Sequence, residues 1–252
     1  MVSWLPALIF LSVLTTCNLA QADTCPQNSH WVRTFSRRAY VRADGTNVSA
    51  SVVRAHCAAN SKAFTFLNGK FKSGMPDVWE YRKTEKSKPW TDAEREEMIE
   101  AVSDLPESLW PANLKAIYRA GKSVSYPNAA STDNFGNTVI YDSAFSSKTS
   151  LAQIIAHEFS HHVYFGFDQR DSQSYQNAAD WMVIGTRNDR PVWATARTSF
   201  VDPDGYMSVD EDFSNNIEYF LFNPTKVKEL APRVFSWIQT RYGSNFKIRK
   251  GP

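Results

Sequence analysis

The segment that most constrains this chain runs from residue 154 to residue 162 and reads Ile-Ile-Ala-His-Glu-Phe-Ser-His-His. Apolar side chains recur around it at the spacing of a buried helix face, at Leu151, Ile155, Phe159 and Val163. His157 and His161 stand four residues apart, so a helix places both imidazoles on one face. The start of this helix can be capped by Ser147, Thr149 or Ser150. The sequence therefore predicts a buried helix that presents two imidazoles side by side.

Two imidazoles in this arrangement can bind one zinc ion, with bonds of about 2.0–2.1 Å. Glu158 follows His157 directly and lies roughly 100° farther around the helix. Its carboxylate can therefore reach a water beside the metal without binding the metal itself. A carboxylate there can take the proton from that water as it attacks a carbonyl. We predict Zn²⁺ as the cofactor, His157 and His161 as ligands, and Glu158 as the general base. The alternative is a core helix whose histidines only hydrogen-bond to their neighbours.

A catalytic zinc site needs a third protein ligand. The metzincin pattern H-E-x-x-H-x-x-G-x-x-H is excluded, because Tyr164 and Phe167 stand where it requires Gly and His. An aspartate ligand in a pattern such as G-T-x-D is approximated by residues 185–189, but Asp189 stands one residue late. Asp180 is a weaker candidate still. Neither aspartate explains the site well.

Better candidates lie in the segment 208–221, which reads Ser-Val-Asp-Glu-Asp-Phe-Ser-Asn-Asn-Ile-Glu-Tyr-Phe-Leu and predicts a second helix. Glu211 and Glu218 are seven residues apart, so they share nearly one face, about 10 Å apart along the axis. Asn215 follows Glu211 by one turn, where a hydrogen-bonding partner helps to orient a ligand. We expect Glu211 to be the third ligand and keep Glu218 as the alternative. A glutamate at position 211 can also close a capping box with Ser208.

The two motifs together resemble those of the gluzincin peptidases, and within them those of the lethal-factor-like metallopeptidase domains. The likeness is specific at H-E-F-S-H and at E-D-F-S-N-N-I-E-Y-F-L, and it covers roughly residues 91–245. It implies that His157, His161 and Glu211 bind zinc and that Glu158 is the general base. It also implies a zinc-dependent endopeptidase with a mostly helical, zincin-like catalytic domain.

The same resemblance implies a tyrosine that stabilises the oxyanion, and Tyr206 is the nearest match. Tyr206 stands five residues before Glu211, which is closer than the family's usual gap. Asn215 takes the place of the family's second acidic residue, so the surroundings of the metal differ from the family pattern.

The composition bounds the class of protein. A chain of 252 residues fits one domain, or one domain with a small appendage. Its charged fraction of 21% and apolar fraction of 42% are typical of a globular protein. The net charge of +2 is too small to indicate binding to nucleic acid or to an anionic membrane. We expect a monomer that acts on a protein or peptide substrate and has no nucleic-acid partner.

The first 22 residues predict a signal peptide. Residues 4–16 are apolar apart from small hydroxyl residues, and Ala20-Gln21-Ala22 is a cleavage site of the A-x-A type. A lipid anchor at Cys17 is the alternative, which Thr16 fits poorly. We expect cleavage after Ala22, no stable membrane insertion after it, and a secreted or periplasmic protein.

Residues 23–75 predict a small β-rich region in front of the catalytic domain at 76–252. Apolar and polar residues alternate from Trp31 to Val53, with a turn at residues 43–46, as in a β-hairpin. Either a solvated face or a patch for an anionic partner is formed by its four arginines, which are Arg33, Arg37, Arg38 and Arg42. In an oxidising compartment Cys25 and Cys57 would form a disulfide. The whole chain is thus predicted to be α+β, with a small mixed sheet in the catalytic domain.

Elsewhere the chain offers local signals of secondary structure. Helices are predicted after the capping box Thr91-x-x-Glu94, over 109–120 and over 171–182, whereas 127–136 and 187–203 are predicted to be loops. Val139 to Tyr141 predicts a strand that is either the edge on which an extended substrate pairs or an internal strand.

Besides an endopeptidase, the predicted metal site allows a zinc amidase of cell-wall peptides or a zinc-binding protein without turnover.

Overall fold

The structure is a computed structural model that describes residues 25–76, 84–123, 128–146 and 149–249. Helices and small sheets both build this part of the chain, which confirms the α+β class. The helices are α1 (Lys62–Leu67), α2 (Asp92–Asp104), α3 (Leu151–Phe165), α4 (Gln169–Ala178), α5 (Val209–Phe222), α6 (Pro224–Leu230) and α7 (Pro232–Tyr242). The strands are β1 (Ser29–Val32), β2 (Phe35–Arg37), β3 (Tyr40–Val41), β4 (Asn47–Val48), β5 (Ser51–Val53), β6 (His56–Ala59), β7 (Ala116–Arg119), β8 (Ala130–Thr132), β9 (Asn137–Ile140), β10 (Trp181–Arg187) and β11 (Arg190–Thr195). The expected signal peptide at 1–22, its cleavage site after Ala22 and Cys17 lie outside the described residues.

Residues 29–59 form one long antiparallel hairpin made of three nested strand pairs. β1 pairs with β6 at its base, β2 with β5 in its middle, and β3 with β4 beside the turn. Gly45 has a φ of 83° in that turn, a conformation that glycine adopts without strain. The predicted disulfide is present and joins Cys25 to Cys57 across the base of the hairpin. A disulfide of this kind indicates a location outside the cytosol.

The hairpin is held against α2 by charged side chains. Arg38 Nε lies 3.5 Å from Glu97 Oε1, and Arg42 Nη2 lies 2.5 Å from Glu100 Oε1. Tyr40 Oη also donates a hydrogen bond to Glu100. Arg33 Nε also lies 3.8 Å from Asp92 Oδ2. Three of the four arginines predicted to form a solvated or anion-binding face are therefore paired within the chain.

A three-stranded sheet of order β7-β9-β8 lies beside the motif helix. β7 runs parallel to β9, and β8 runs antiparallel to it at one edge. The helix predicted over 109–120 is wrong, because this segment contains β7, and the loop predicted over 127–136 contains β8. The strand predicted around Val139 is confirmed as β9 and is the internal strand, which is one of the two alternatives, whereas β8 lies at one edge of the sheet. Short apolar segments fit a strand and a helix equally well, and pairing with neighbouring strands decides between them.

The motif helix α3 packs against α5 in the core. Ile155 and Phe159 of α3 are fully buried, as are Phe213 and Ile217 of α5. Burying each of these side chains contributes about 1.5–3 kcal/mol relative to leaving it in water. Ser150 caps α3, since its side chain accepts a hydrogen bond from the backbone N–H three residues later. The packing fixes the distance at which the two helices face each other.

Other helical predictions agree with the structure in outline. Thr91 and Glu94 form the predicted capping box at the start of α2. The helix predicted over 171–182 is α4, which ends earlier because β10 begins at Trp181. The loop predicted over 187–203 is wrong in its first half, where β11 pairs with β10 across a turn at Asn188 and Asp189. In the described part of the chain, no helix combines the length and apolarity needed to cross a bilayer.

Candidate metal centre

Helix α3 places two imidazoles side by side, as the sequence predicts. His157 and His161 lie one turn apart, and their Nε2 atoms are 3.1 Å from each other. Both side chains are largely buried between α3 and α5, at the wall of a cleft. Two nitrogen donors therefore point to one place.

Helix α5 brings a carboxylate to the same place. Glu211 Oε2 lies 3.4 Å from His157 Nε2 and 3.5 Å from His161 Nε2. Ser208 caps α5 by accepting a hydrogen bond from the backbone N–H of Glu211. The side chain of Glu211 points to the imidazoles, so the capping role that the sequence also allowed does not occupy its carboxylate.

The spacing of these three donor atoms fits a metal ion. Donors that bind one ion tetrahedrally at about 2.0–2.1 Å lie about 3.3 Å from one another. The three distances in the protein, 3.1, 3.4 and 3.5 Å, are close to that value. His157, His161 and Glu211 could therefore hold a metal ion.

Two further carboxylates contact the outer nitrogens of the imidazoles. Glu218 Oε2 lies 3.1 Å from His157 Nδ1, and Glu218 Oε1 accepts a hydrogen bond from Gln153 Nε2 at 2.7 Å. Asp210 Oδ2 lies 3.4 Å from His161 Nδ1. Carboxylates in these positions fix the orientation of ligating imidazoles and make them better donors. Glu218, the alternative third ligand, is thus placed to orient His157.

The carboxylates around the two imidazoles require a compensating positive charge. Burial alone lowers the pKa of both imidazoles, but hydrogen bonds to carboxylates outweigh it. Glu211 and Glu218 hold the pKa of His157 well above its usual value, and Asp210 and Glu211 raise the pKa of His161 to about 9. Burial raises the pKa of Glu211, but hydrogen bonds from the two imidazoles lower it much more. Either protons on the imidazoles or a cation must balance these carboxylates.

Glu158 lies in the same cleft as the three donors. It is 7% exposed, and among the described residues its Oε2 has no hydrogen-bond partner. A buried carboxylate oxygen without a partner is costly in a folded protein and commonly marks a functional position. Glu158 is therefore available to a molecule that enters the cleft.

The cleft has a volume of about 320 Å³, and the edge strand β8 forms one of its walls. Asp133 N donates to Asn137 O, so the main chain of Asp133 faces β9. Because antiparallel strands alternate with a period of two, Ser131 also faces β9. The main-chain groups of Ala130 and Thr132 therefore point away from the sheet, on the side of the cleft.

The third histidine of the motif segment has a different place. His162 is fully buried, and its Nε2 lies 2.8 Å from the hydroxyl of Thr138 on β9. The hydroxyl of Thr138 lies 3.0 Å from that of Thr132 on β8. Burial lowers the pKa of His162 to about 4, so the ring is neutral at pH 7. His162 thus joins the motif helix to the sheet that forms the wall of the cleft.

Asp212, the residue after Glu211, is completely buried and accepts several hydrogen bonds. Its donors are Tyr175 Oη, Trp181 Nε1, Arg197 Nη1 and Asn216 Nδ2. Trp181 opens β10 and Arg197 follows β11, so both ends of this second hairpin are tied to α5. A buried carboxylate that accepts this many hydrogen bonds makes its surroundings rigid.

Several residues proposed from the sequence lie elsewhere. Tyr206 is 66% exposed and lines a different depression with Phe200, because the helical turn 203–206 directs its side chain away from the cleft. Asp189 lies at the tip of the β10–β11 hairpin, and Asp180 contacts Arg233 on α7. The structure does not bring these three residues to the metal centre.

The surroundings of the three donor residues differ from what the sequence predicts. Asn215 donates to Asp204 Oδ1 at 2.5 Å rather than contacting an imidazole directly. The roles of Asp210 and Glu218 as partners of the imidazoles were missed. The sequence could have indicated both, because Asp210 is adjacent to Glu211 and Glu218 lies two helical turns after it.

Comparison of the chain with protein-family models, curated proteins and solved structures finds no match. The case for a function therefore rests on the arrangement of the residues themselves.

Proposed function

We propose that this chain is a secreted or periplasmic zinc-dependent endopeptidase of the gluzincin type, with His157, His161 and Glu211 as the ligands. The observation that carries the proposal is the convergence of two imidazole nitrogens and one carboxylate oxygen within 3.5 Å of each other, beside the buried Glu158. A mixed set of two nitrogens and one oxygen suits zinc. When bound, zinc would polarise the carbonyl of the substrate and make a nearby water more acidic.

Glu158 is the general base in this proposal. Its Oε2, which has no partner among the described residues, accepts a proton from the attacking water. The same carboxyl then gives that proton to the amine that leaves, so the residue ends in its starting state. The neighbouring Glu218 and Asp210 keep the two imidazoles oriented while this happens.

The edge strand β8 binds the peptide backbone. Outward N–H and C=O groups at Ala130 and Thr132 can pair with an extended chain laid along the cleft. Main-chain pairing does not depend on the side chains of the substrate, which suits an endopeptidase. In this proposal β8 is the pairing edge, because β9 lies inside the sheet.

No observation favours the cell-wall amidase over the endopeptidase. That alternative relied on free arginines in the N-terminal hairpin as contacts for an anionic polymer. Arg38 and Arg42 instead pair with glutamates of α2. A protein that binds zinc without turnover is also less favoured, because it would not need a buried carboxylate oxygen at Glu158 that has no hydrogen-bond partner among the described residues.

The test compares the zinc-loaded protein with its Glu158→Gln variant on casein and on a library of unstructured peptides. We expect the wild type to cleave internal peptide bonds, and the variant to retain stoichiometric zinc but lose hydrolysis. Zinc content is measured by mass spectrometry of the metal, and the fold is checked by circular dichroism. Equal activity of the two proteins, or a wild type that binds no zinc, would refute the proposal.

A further inference from the structure

A second cavity lies between the N-terminal hairpin, α2 and the start of α3. Its volume is about 460 Å³, which is larger than that of the metal cleft and in the range of ligand sites. Thr149 lines both cavities, so they adjoin each other at the start of the motif helix. A chain that leaves the metal cleft past Thr149 therefore meets this cavity.

The walls of the cavity are mostly apolar, and the carboxylates among its lining residues outnumber the guanidinium groups. Val41, Val48, Phe145 and Leu151 are among the apolar lining residues. The charged residues that line it are the carboxylates of Glu97, Glu100 and Asp104 and the guanidinium groups of Arg38 and Arg42. Each guanidinium group is paired with one of the glutamates. The lining thus carries one carboxylate more than it carries cations.

Asp104 is the carboxylate left over. It is only 9% exposed, and no lysine or arginine in the described ranges forms a salt bridge with its side chain. Burial raises the pKa of Asp104 to about 6, and the charges of Glu100 and Asp44 add to this rise. A hydrogen bond from the backbone N–H of Ala43 and the charge of Arg42 oppose it only in part. A cation brought into the cavity would supply the missing counter-charge.

We infer that this cavity is a subsite for a lysine or arginine side chain of a peptide bound in the metal cleft, an inference that rests on the proposed peptidase function. The apolar walls receive the methylene stem, and Asp104 receives the charged head. The N-terminal hairpin then has a role in recognition, because residues 38–43 form one side of the subsite.

The test uses zinc-loaded protein and labelled decapeptides that share one cleavage site and carry a single lysine or norleucine at each position in turn. We expect one position at which lysine raises kcat/KM at least about tenfold over norleucine. Asp104→Asn should bring that ratio close to one. The matched control is Asp189→Asn, which removes the same charge from the exposed tip of the β10–β11 hairpin, outside the cavity, and should keep the ratio.

A second variant tests the subsite independently, in case Asp104→Asn does not fold. Val41→Trp fills the cavity from the exposed hairpin side, and it should also abolish the lysine preference at that position. If no position prefers lysine, or if Asp104→Asn keeps the preference, the subsite is refuted while the peptidase stands.

A binding measurement separates this inference from the proposed function. Fluorescence anisotropy compares the affinities of the lysine and norleucine peptides for Glu158→Gln protein, with and without Asp104→Asn. Tighter binding of the lysine peptide that depends on Asp104 supports the subsite even if the wild type cleaves nothing. Equal affinities for the two peptides would refute it.

Discussion

Glu218 holds His157 in place from the side opposite the donor cluster. Its Oε2 lies 3.1 Å from His157 Nδ1, while its Oε1 accepts a hydrogen bond from Gln153 at 2.7 Å. With Nδ1 engaged, His157 presents Nε2 to His161 and Glu211. Glu218 and Glu211 share one face of α5, but Glu218 contacts Nδ1 of His157 and Glu211 contacts Nε2.

The first prediction concerns Glu218. Replacing it with alanine should weaken zinc binding by about 10–100-fold, because His157 loses the carboxylate that orients it. Glu218→Gln should lie between alanine and the wild type. Competition with a chromophoric chelator measures the affinity, and the exposed Glu229→Gln on α6 is the control. Wild-type affinity in Glu218→Ala would contradict the assigned role.

The second prediction tests whether Glu211 or Asp189 supplies the third ligand. Glu211→Gln replaces an anionic oxygen with a neutral amide, and the purified protein should no longer carry stoichiometric zinc. Asp189→Asn at the tip of the β10–β11 hairpin should carry as much zinc as the wild type. Metal analysis after gel filtration decides, and the reverse pattern would assign the ligand to Asp189.

The third prediction concerns the contact between the motif helix and the sheet. Thr138→Val removes the hydroxyl bonded to His162 Nε2, in a place without access to water. We expect a loss of about 1–3 kcal/mol in the free energy of unfolding, since a buried polar group is left without a partner. Thr138→Ser keeps the hydroxyl and should lose less. Urea denaturation of the three proteins measures the difference, and equal stabilities would show that the contact contributes nothing.

The fourth prediction concerns pH. Burial raises the pKa of Glu94, but hydrogen bonds from Arg119 and from the backbone of Thr91 outweigh it, so the folded-state pKa lies below the usual value. Such a group stabilises the fold above its unfolded pKa of about 4.3 and loses that contribution as the pH falls through its folded value. Glu94→Gln should therefore destabilise the protein at pH 7 and much less at pH 3. A penalty that is equal at both pH values would rule out the charge of Glu94 as its source.

The features that follow from local sequence were predictable. The motif helix needs only the spacing of apolar residues and of His157 and His161, and α2 needs only its capping box at Thr91. The choice of Glu211 over Glu218 also agrees with the donor cluster, although the argument through Asn215 was not the reason. That choice is set by the distance and orientation between α3 and α5.

The features that depend on distant partners were not predictable. β7, β8 and β11 are short, and their conformation is decided by the strands beside which they lie. The place of Tyr206 depends on the direction of the helical turn at 203–206, which the spacing to Glu211 did not reveal. The second cavity joins residues from the hairpin, α2 and α3, so no single stretch of sequence could show it.

The buried carboxylate of Asp212 has a consequence for how this fold can be modified. Trp181 and Arg197, at the two ends of the β10–β11 hairpin, are both anchored to it. The exposed tip that lies between these anchors can therefore change in length or sequence without shifting Glu211. The tip at Asn188 and Asp189 is accordingly a suitable point at which to insert a reporter or an affinity loop.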